Sequence, residues 1–208
     1  MKRINDIFYS LQGEGRNTGR AAVFVRFAGC NLRCPFCDTE FDSYREMSDE
    51  EIVADIKRLL TVEGRVQTTD GRRFVVLTGG EPTLQVDEAF VDLLHLNGFE
   101  VAMESNGTRP APQNLDWLTV SPKALPQSLQ QEGKWPDEIK VVFTDAADAE
   151  RYSPTLWKGV GEGGFYLQPC DTGDPVRNMQ IINRCVAYIK EHPEWRLSLQ
   201  THKLAGFK

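Results

Sequence analysis

The 208-residue sequence has no apolar run approaching the ~20 residues that a membrane-spanning helix needs. Its first stretch, Met1 to Gln12, carries Lys2 and Arg3 but lacks the apolar segment of a secretory signal. Nor is there an excess of positive charge. Lysine plus arginine number 24 against 30 aspartate plus glutamate, a net charge of −6, which argues against direct nucleic-acid binding. There is no internal repeat, low-complexity tract or linker, so one domain over residues 1–208 is expected. A hydrophobic share of 40% with 26% charged residues is ordinary globular composition and excludes collagen, a long coiled coil and disorder. A cytoplasmic address with no membrane partner is the corresponding expectation.

Cysteine is scarce, odd in number and clustered. Of five, Cys30, Cys34 and Cys37 fall within eight residues, whereas a secreted disulfide framework would show an even count spread along the chain. The pattern reads as a group of reduced thiols.

Short apolar runs predict strands at Ala22–Phe27, Phe74–Leu77, Phe99–Met103, Trp117–Val120, Ile139–Phe143, Phe165–Leu167 and Arg196–Leu199, with Ile4–Tyr9 as a further short strand. Helical spacing appears after the capping pair Ser48 and Glu51, through Ile52, Ile56, Leu59 and Leu60. It recurs at Val86, Phe90, Leu93 and Leu94, and again at Met179, Ile182, Val186 and Ile189. Strands alternating with helices predict βαβ units and a parallel sheet. A complete eightfold barrel takes ~250 residues, more than this chain has. The expected fold is therefore α/β: a partial, TIM-like β/α barrel of about six parallel strands with about three main helices.

In such sheets ligands sit at the carboxyl ends of the strands, and those ends carry the chemistry. Cys30-Asn31-Leu32-Arg33-Cys34-Pro35-Phe36-Cys37-Asp38-Thr39 closely follows the first of these strands. Thr78-Gly79-Gly80-Glu81-Pro82, Glu104-Ser105-Asn106-Gly107, Ser121-Pro122-Lys123, Gln168-Pro169 and Gln200-Thr201-His202-Lys203 follow later ones. Three thiolates at C-x3-C-x2-C spacing suit a four-iron cluster with one iron left open; a zinc site, needing a fourth ligand, is the alternative. Gly79 and Gly80 permit close backbone approach and set Glu81 beside it, although the same residues could simply open a helix. Arg26 shares a strand face with Ala22 and Phe24, so it needs a partner: either a ligand carboxylate or phosphate, or an internal ion pair with Glu14 or Asp38. The turn Leu11-Gln12-Gly13-Glu14-Gly15 offers acceptors to a donor-rich heterocycle, or is a plain surface turn. Cys185 falls on an apolar helix stripe and reads as a core thiol, and Cys170 as an unliganded one. His95 and His192 sit at helix ends, solvated or capping, while His202 is balanced between site and surface. Lys208 is a candidate to fold back onto the site, with packing against a neighbouring molecule as the alternative.

The cysteine loop together with Gly79-Gly80-Glu81-Pro82 resembles the radical S-adenosylmethionine superfamily. More narrowly, the likeness is to the 7-carboxy-7-deazaguanine synthase family. It runs from Leu11–Gly15 through Cys37-Asp38-Thr39, Thr78–Pro82 and Ser121-Pro122-Lys123 to Leu199–Lys203.

The resemblance implies a carbon–nitrogen lyase that converts 6-carboxy-5,6,7,8-tetrahydropterin into 7-carboxy-7-deazaguanine with loss of ammonia, on the route to queuosine and related deazapurines. It also implies a homodimer, Mg²⁺ and a flavodoxin- or ferredoxin-type electron donor. By the same likeness Cys30, Cys34 and Cys37 hold a 4Fe-4S cluster. S-adenosylmethionine lies against Phe36, Cys37, Asp38, Gly80, Glu104, Asn106, Ser121, Lys123 and Gln168. The small-molecule pterin meets Leu11, Gln12, Gly13, Glu14, Arg26, Thr78, His202 and Lys208, and Thr39 binds Mg²⁺. A glycyl-radical-activating enzyme shares the cysteine loop but has no need of Leu11–Gly15 or Gln200–Lys203. A non-catalytic zinc or iron–sulfur module leaves the glycine-rich strand ends unexplained.

Overall fold

The computed structural model describes residues 1–37, 40, 42–62, 73–123 and 133–208. Its strands are β1 (Lys2–Leu11), β2 (Ala21–Phe27), β3 (Arg45–Met47), β4 (Arg73–Gly79), β5 (Phe99–Ser105), β6 (Trp117–Val120), β7 (Glu138–Phe143), β8 (Gly164–Pro169) and β9 (Trp195–Leu197). Its helices are α1 (Asp49–Val62), α2 (Glu88–Leu96), α3 (Ala146–Arg151), α4 (Pro175–Glu191) and α5 (Thr201–Ala205). All the strands form one sheet in the order β3-β1-β2-β4-β5-β6-β7-β8-β9. From β2 to β9 every neighbouring pair is parallel, while β1 runs antiparallel to β2 and β3. Among the described residues seven strands are therefore parallel, one more than the sequence suggested. The first strand is longer than Ile4–Tyr9 and reverses the sheet's direction.

Period-two alternation sorts each parallel strand into two faces. Val23, Val25 and Phe27 on β2, Val75 and Leu77 on β4, and Ile139, Val141 and Phe143 on β7 are buried with α1, α2 and α4 in the main core. The opposite face is apolar only towards the strands' amino ends, where Ala22, Phe24, Phe74, Val76 and Ala102 form a second small cluster with Phe8 and Trp117. Towards the carboxyl ends that inner face turns polar: Arg26, Thr78, Glu104, Lys140 and Gln168. The sheet thus has a filled floor and a polar mouth.

The helices cover the outer face. Ser48 and Glu51 exchange the hydrogen bonds of the expected capping box before α1, at 3.2 and 2.7 Å. Asp87 caps α2, so Val86 is buried just ahead of that helix and not in it. On α4 the buried stripe is Ile181 and Cys185, with Tyr188 and Ile189 packed alongside, and Met179 is 56% exposed. The helix carries two apolar stripes. The stripe holding Cys185 wins because it sets Tyr188 against Phe143, ring centres 5.8 Å apart. Cys185 is the core thiol the sequence indicated; burial pushes it up to about 12.

Among the described residues β3 and β9 are the edges of the sheet, yet the turn after β1 reaches across to the β9 side. The Gly13 carbonyl accepts from the Thr201 N–H at 3.0 Å, and the Gly15 N–H donates to Ser198 Oγ at 3.0 Å. The Arg16 N–H donates to Glu138 at 2.8 Å. Glycine is required at 15: φ is 63°, and a Cβ there would lie 2.1 Å from Glu138 Oε1. Among the described residues no helix is long and apolar enough to cross a membrane.

Candidate active site

The polar mouth encloses a cavity of about 420 Å³. Its wall includes each site residue expected from the sequence that falls within the described residues: Leu11, Gln12, Gly13, Glu14, Arg26, Cys30, Cys34, Phe36, Cys37, Thr78, Gly80, Glu104, Asn106, Ser121, Lys123, Gln168, His202 and Lys208. Asp38 and Thr39, expected at S-adenosylmethionine and Mg²⁺, lie outside the described residues.

The cysteine loop leaves β2 at the mouth. Gly29 turns the chain at φ 82°, and the Cys37 N–H closes back on the Cys34 carbonyl at 3.1 Å. None of the five cysteines is in a disulfide. The Leu32 N–H donates to Cys30 Sγ at 3.4 Å and Asn106 Nδ2 approaches the same sulfur at 3.8 Å. Burial pushes the Cys34 thiol up, with the Lys123 ammonium pulling against it. An iron–sulfur cluster takes three such thiolates with N–H groups beside its sulfurs, as the Leu32 N–H and the Asn106 amide stand beside Cys30. The donor set fits the cluster.

The glycine pair serves backbone packing. The Gly80 N–H donates to the Phe27 carbonyl at 2.9 Å and the Glu81 N–H to the Gly29 carbonyl at 3.0 Å. Glu81 corrects the expectation of a carboxylate beside the ligand: it is fully buried. It accepts from Thr83 N–H (3.0 Å), Thr83 Oγ1 (2.6 Å), Ser105 Oγ (2.9 Å) and the Asn106 N–H (2.7 Å). It therefore caps the short 3-10 turn Pro82–Leu84 and ties the ends of β4 and β5 together.

Asn106 continues this wall, its amide meeting Asn31 Oδ1 at 3.0 Å while its own Oδ1 accepts from Thr108. Lys123 Nζ donates to Ser121 Oγ at 2.8 Å and stands 5.4 Å from the centre of the Phe36 ring. Burial pulls its ammonium below the ordinary value, opposed by Cys34. Gln168 Oε1 accepts from Ser198 Oγ at 2.9 Å.

Across the cavity Arg26 pairs in register with Asp6 and Thr78, and its guanidinium lies 5.2 Å from the centre of the Phe8 ring. The ion pair foreseen with Glu14 does not form, because Glu14 is bound to Lys140, and the one foreseen with Asp38 lies outside the described residues. Lys208 does fold back: Nζ meets Asp6 at 2.5 Å and its carbonyl accepts from Ser10 Oγ. His202 closes over Gly13, where a Cβ would lie 2.6 Å from its Nδ1. Of the other histidines, His95 pairs with Asp116 at 2.8 Å and His192 ends α4. Cys170 lines the cavity with its thiol pushed up by burial.

The sequence motifs missed Lys140. Lys140 Nζ contacts Glu14 and, at 2.7 Å, Glu104, while Gln200 Nε2 donates to Glu14 at 3.0 Å. A lysine at an inner-face position between two apolar neighbours of β7 was the available signal.

Residues 24–137 match the Radical SAM superfamily model. The chain is 43% identical to a 7-carboxy-7-deazaguanine synthase of Bacteroides thetaiotaomicron, over 100% of both chains. It is 40% identical to one of Bradyrhizobium diazoefficiens, over 99% of this chain and 98% of that one. The chain belongs to the 7-carboxy-7-deazaguanine synthase family. The crystal structure of QueE from Escherichia coli is similar in fold, with a TM-score of 0.73 and 30% identity over 95% of this chain and 93% of that one. The synthase is accordingly a radical S-adenosylmethionine enzyme, and the superfamily brings a 4Fe-4S cluster and S-adenosylmethionine to its site. The alternatives of a glycyl-radical activator and a non-catalytic metal module give way to this family.

Proposed function

We propose that the chain, working as one domain, converts 6-carboxy-5,6,7,8-tetrahydropterin into 7-carboxy-7-deazaguanine and ammonia, a step towards queuosine and other deazapurines. The observation that carries this reading is one cavity lined by three thiols, an arginine with no carboxylate partner among the described residues, and an anionic glutamate. When bound, the cluster and S-adenosylmethionine together supply one-electron chemistry that removes a hydrogen atom from the substrate.

The residues have separate tasks in this reading. Cys30, Cys34 and Cys37 ligate the cluster. Gly80, Glu104, Asn106, Ser121, Lys123 and Gln168 hold S-adenosylmethionine, with Phe36, Cys37 and Asp38 packed on it. Arg26 receives the pterin carboxylate, since a guanidinium fork suits a carboxylate and the group lies over the Phe8 ring within the cavity wall. Glu14 accepts from the N–H groups of the heterocycle. An ionised carboxylate is acceptor-only, and although burial alone would raise it, Lys140 holds it below the ordinary range. Gln12 and Thr78 add polar contacts. Leu11, Gly13, His202 and Lys208 line the rim and exclude water.

Mg²⁺ keeps most of its own waters and takes few protein ligands, so the hydroxyl of Thr39 with substrate oxygens is a sufficient donor set. The protein acts as a homodimer supplied by a flavodoxin- or ferredoxin-type donor. Val176 and Met179, exposed one turn apart on α4, support a covered face. The test is anaerobic reconstitution with iron and sulfide, then addition of reductant, S-adenosylmethionine, Mg²⁺ and the carboxytetrahydropterin. A deazapurine absorbance is expected; normal cofactor cleavage without it overturns the substrate assignment.

A further inference from the structure

Lys140 belongs to none of the recognised motifs, yet it lies where the two ligand sides of the cavity meet. It is the middle inner-face residue of β7, between Glu138 and Val142, and only 3% exposed. A buried ammonium costs several kcal/mol unless it is paired and hydrogen-bonded. Here Nζ contacts Glu14 of the turn after β1 and donates to Glu104 Oε2 of β5 at 2.7 Å. The other oxygen of Glu104 accepts from Gln12 Nε2 at 2.8 Å, and Gln12 Oε1 accepts from the Glu14 N–H at 3.2 Å. Lys140, Glu104, Gln12 and Glu14 thus close a ring of hydrogen bonds.

We propose that Lys140 is a positioning residue that keeps Glu14 and Glu104 ionised side by side and so joins the pterin and S-adenosylmethionine sites at one fixed separation. The inference rests on the assignment of Glu14 to the pterin and Glu104 to S-adenosylmethionine. Its physical core is charge. Two carboxylates on one buried ammonium stay anionic together; with the ammonium gone they share a low-dielectric space, and one takes up a proton near neutrality. A protonated Glu14 loses acceptor capacity towards a donor-rich heterocycle. The charged groups around the ring are Glu138 on β7 itself, Lys123 after β6, and Arg26 and His202 on the cavity wall. Lys140 itself lowers both Glu138 and Lys123, so the comparison is repeated in a Glu138→Gln background, where Glu138 cannot supply the pH dependence.

The experiment compares wild type, Lys140→Met and the double variant Lys140→Met/Glu104→Gln, each reconstituted with its cluster. Binding of 6-carboxypterin, a stable oxidised stand-in, is followed by its fluorescence between pH 6 and 8. The variant-to-wild-type affinity ratio cancels the titration of the ligand. For Lys140→Met the ratio is expected to be about tenfold below unity at pH 6 and to rise with pH, by up to about tenfold per unit. The double variant removes the repulsion and is expected to recover most of the lost affinity with little dependence on pH. Should Lys140→Met alone fail to fold, the double variant carries the test. A Lys140→Met ratio of unity, or an equal loss at every pH without rescue, overturns the role of Lys140 alone. Absence of 6-carboxypterin binding to the wild type overturns the pterin assignment and the inference with it.

Discussion

A Cβ placed on Gly80 would lie 1.9 Å from the carbonyl oxygen of Gly29, so at this point the loop after β4 and the loop that carries the cysteines meet backbone to backbone. A backbone carbonyl cannot swing aside as a side chain can. Gly80→Ala must therefore part the two loops, at a cost of about 1–3 kcal/mol. Cluster content after reconstitution and S-adenosylmethionine affinity should both fall. Gly19→Ala is the control: its φ of 87° is strained, but no atom lies within 4 Å of the new Cβ. It should lose stability by ~1–2 kcal/mol while cluster content stays unchanged.

Glu81 supports the same junction from below. Removing its carboxylate leaves the Asn106 N–H and Ser105 hydroxyl without their acceptor in a buried place, and each such group costs about 1–3 kcal/mol. Glu81→Ala should lower the melting temperature strongly. It should also loosen Asn106 beside Cys30, read as a shift in the cluster's reduction potential.

Glu138 makes stability depend on pH. Burial raises its carboxyl from 4.5 to about 7, against the pull of Lys140 and the Arg16 N–H. The folded state then binds a proton that the unfolded state has released. Its stabilising contribution is full below about 4.5 and lost as pH rises through about 7, roughly 3 kcal/mol in all. Glu138→Gln cannot titrate. Urea unfolding at pH 5 and pH 8 should show the variant gaining on the wild type at the higher pH; a constant difference would show that Glu138 is ionised at both.

The sequence displayed the outer layers of this molecule better than its interior logic. Strand positions were legible because β-branched and aromatic runs such as Val23–Phe27 and Phe74–Leu77 are short, dense and bounded by glycine or polar residues. The inner and outer faces followed from period two, which placed Arg26 with Ala22 and Phe24. The helix face of α4 did not follow, because two apolar stripes share one periodicity and only contact with Phe143 selects between them. Glu81 looked like a ligand group since its neighbours are glycines, but the demand of Ser105 and Asn106 for its carboxylate lies in another segment. Lys140 stood out only as a lysine between apolar neighbours, and its role did not, because both its partners are more than thirty residues away along the chain.

Arg26 tests the pocket without disturbing the cluster. A charged hydrogen bond to the ligand carboxylate contributes about 1.5–3 kcal/mol. Arg26→Ala should weaken 6-carboxypterin binding at least about tenfold, since ~1.4 kcal/mol is a factor of ten, and leave S-adenosylmethionine binding intact. Equal loss of both ligands would mean that the strand has moved and that the carboxylate lies elsewhere.

The central claim is that the cavity removes ammonia from a carboxylated tetrahydropterin. The most direct measurement is mass spectrometry of the product from the reconstituted enzyme, with ammonia quantified in the same reaction. The product should be lighter than the substrate by one ammonia, with ammonia released in equal amount and none formed by Cys34→Ala. Turnover that cleaves S-adenosylmethionine but returns the pterin unchanged, or a product that keeps all its nitrogen, would contradict it.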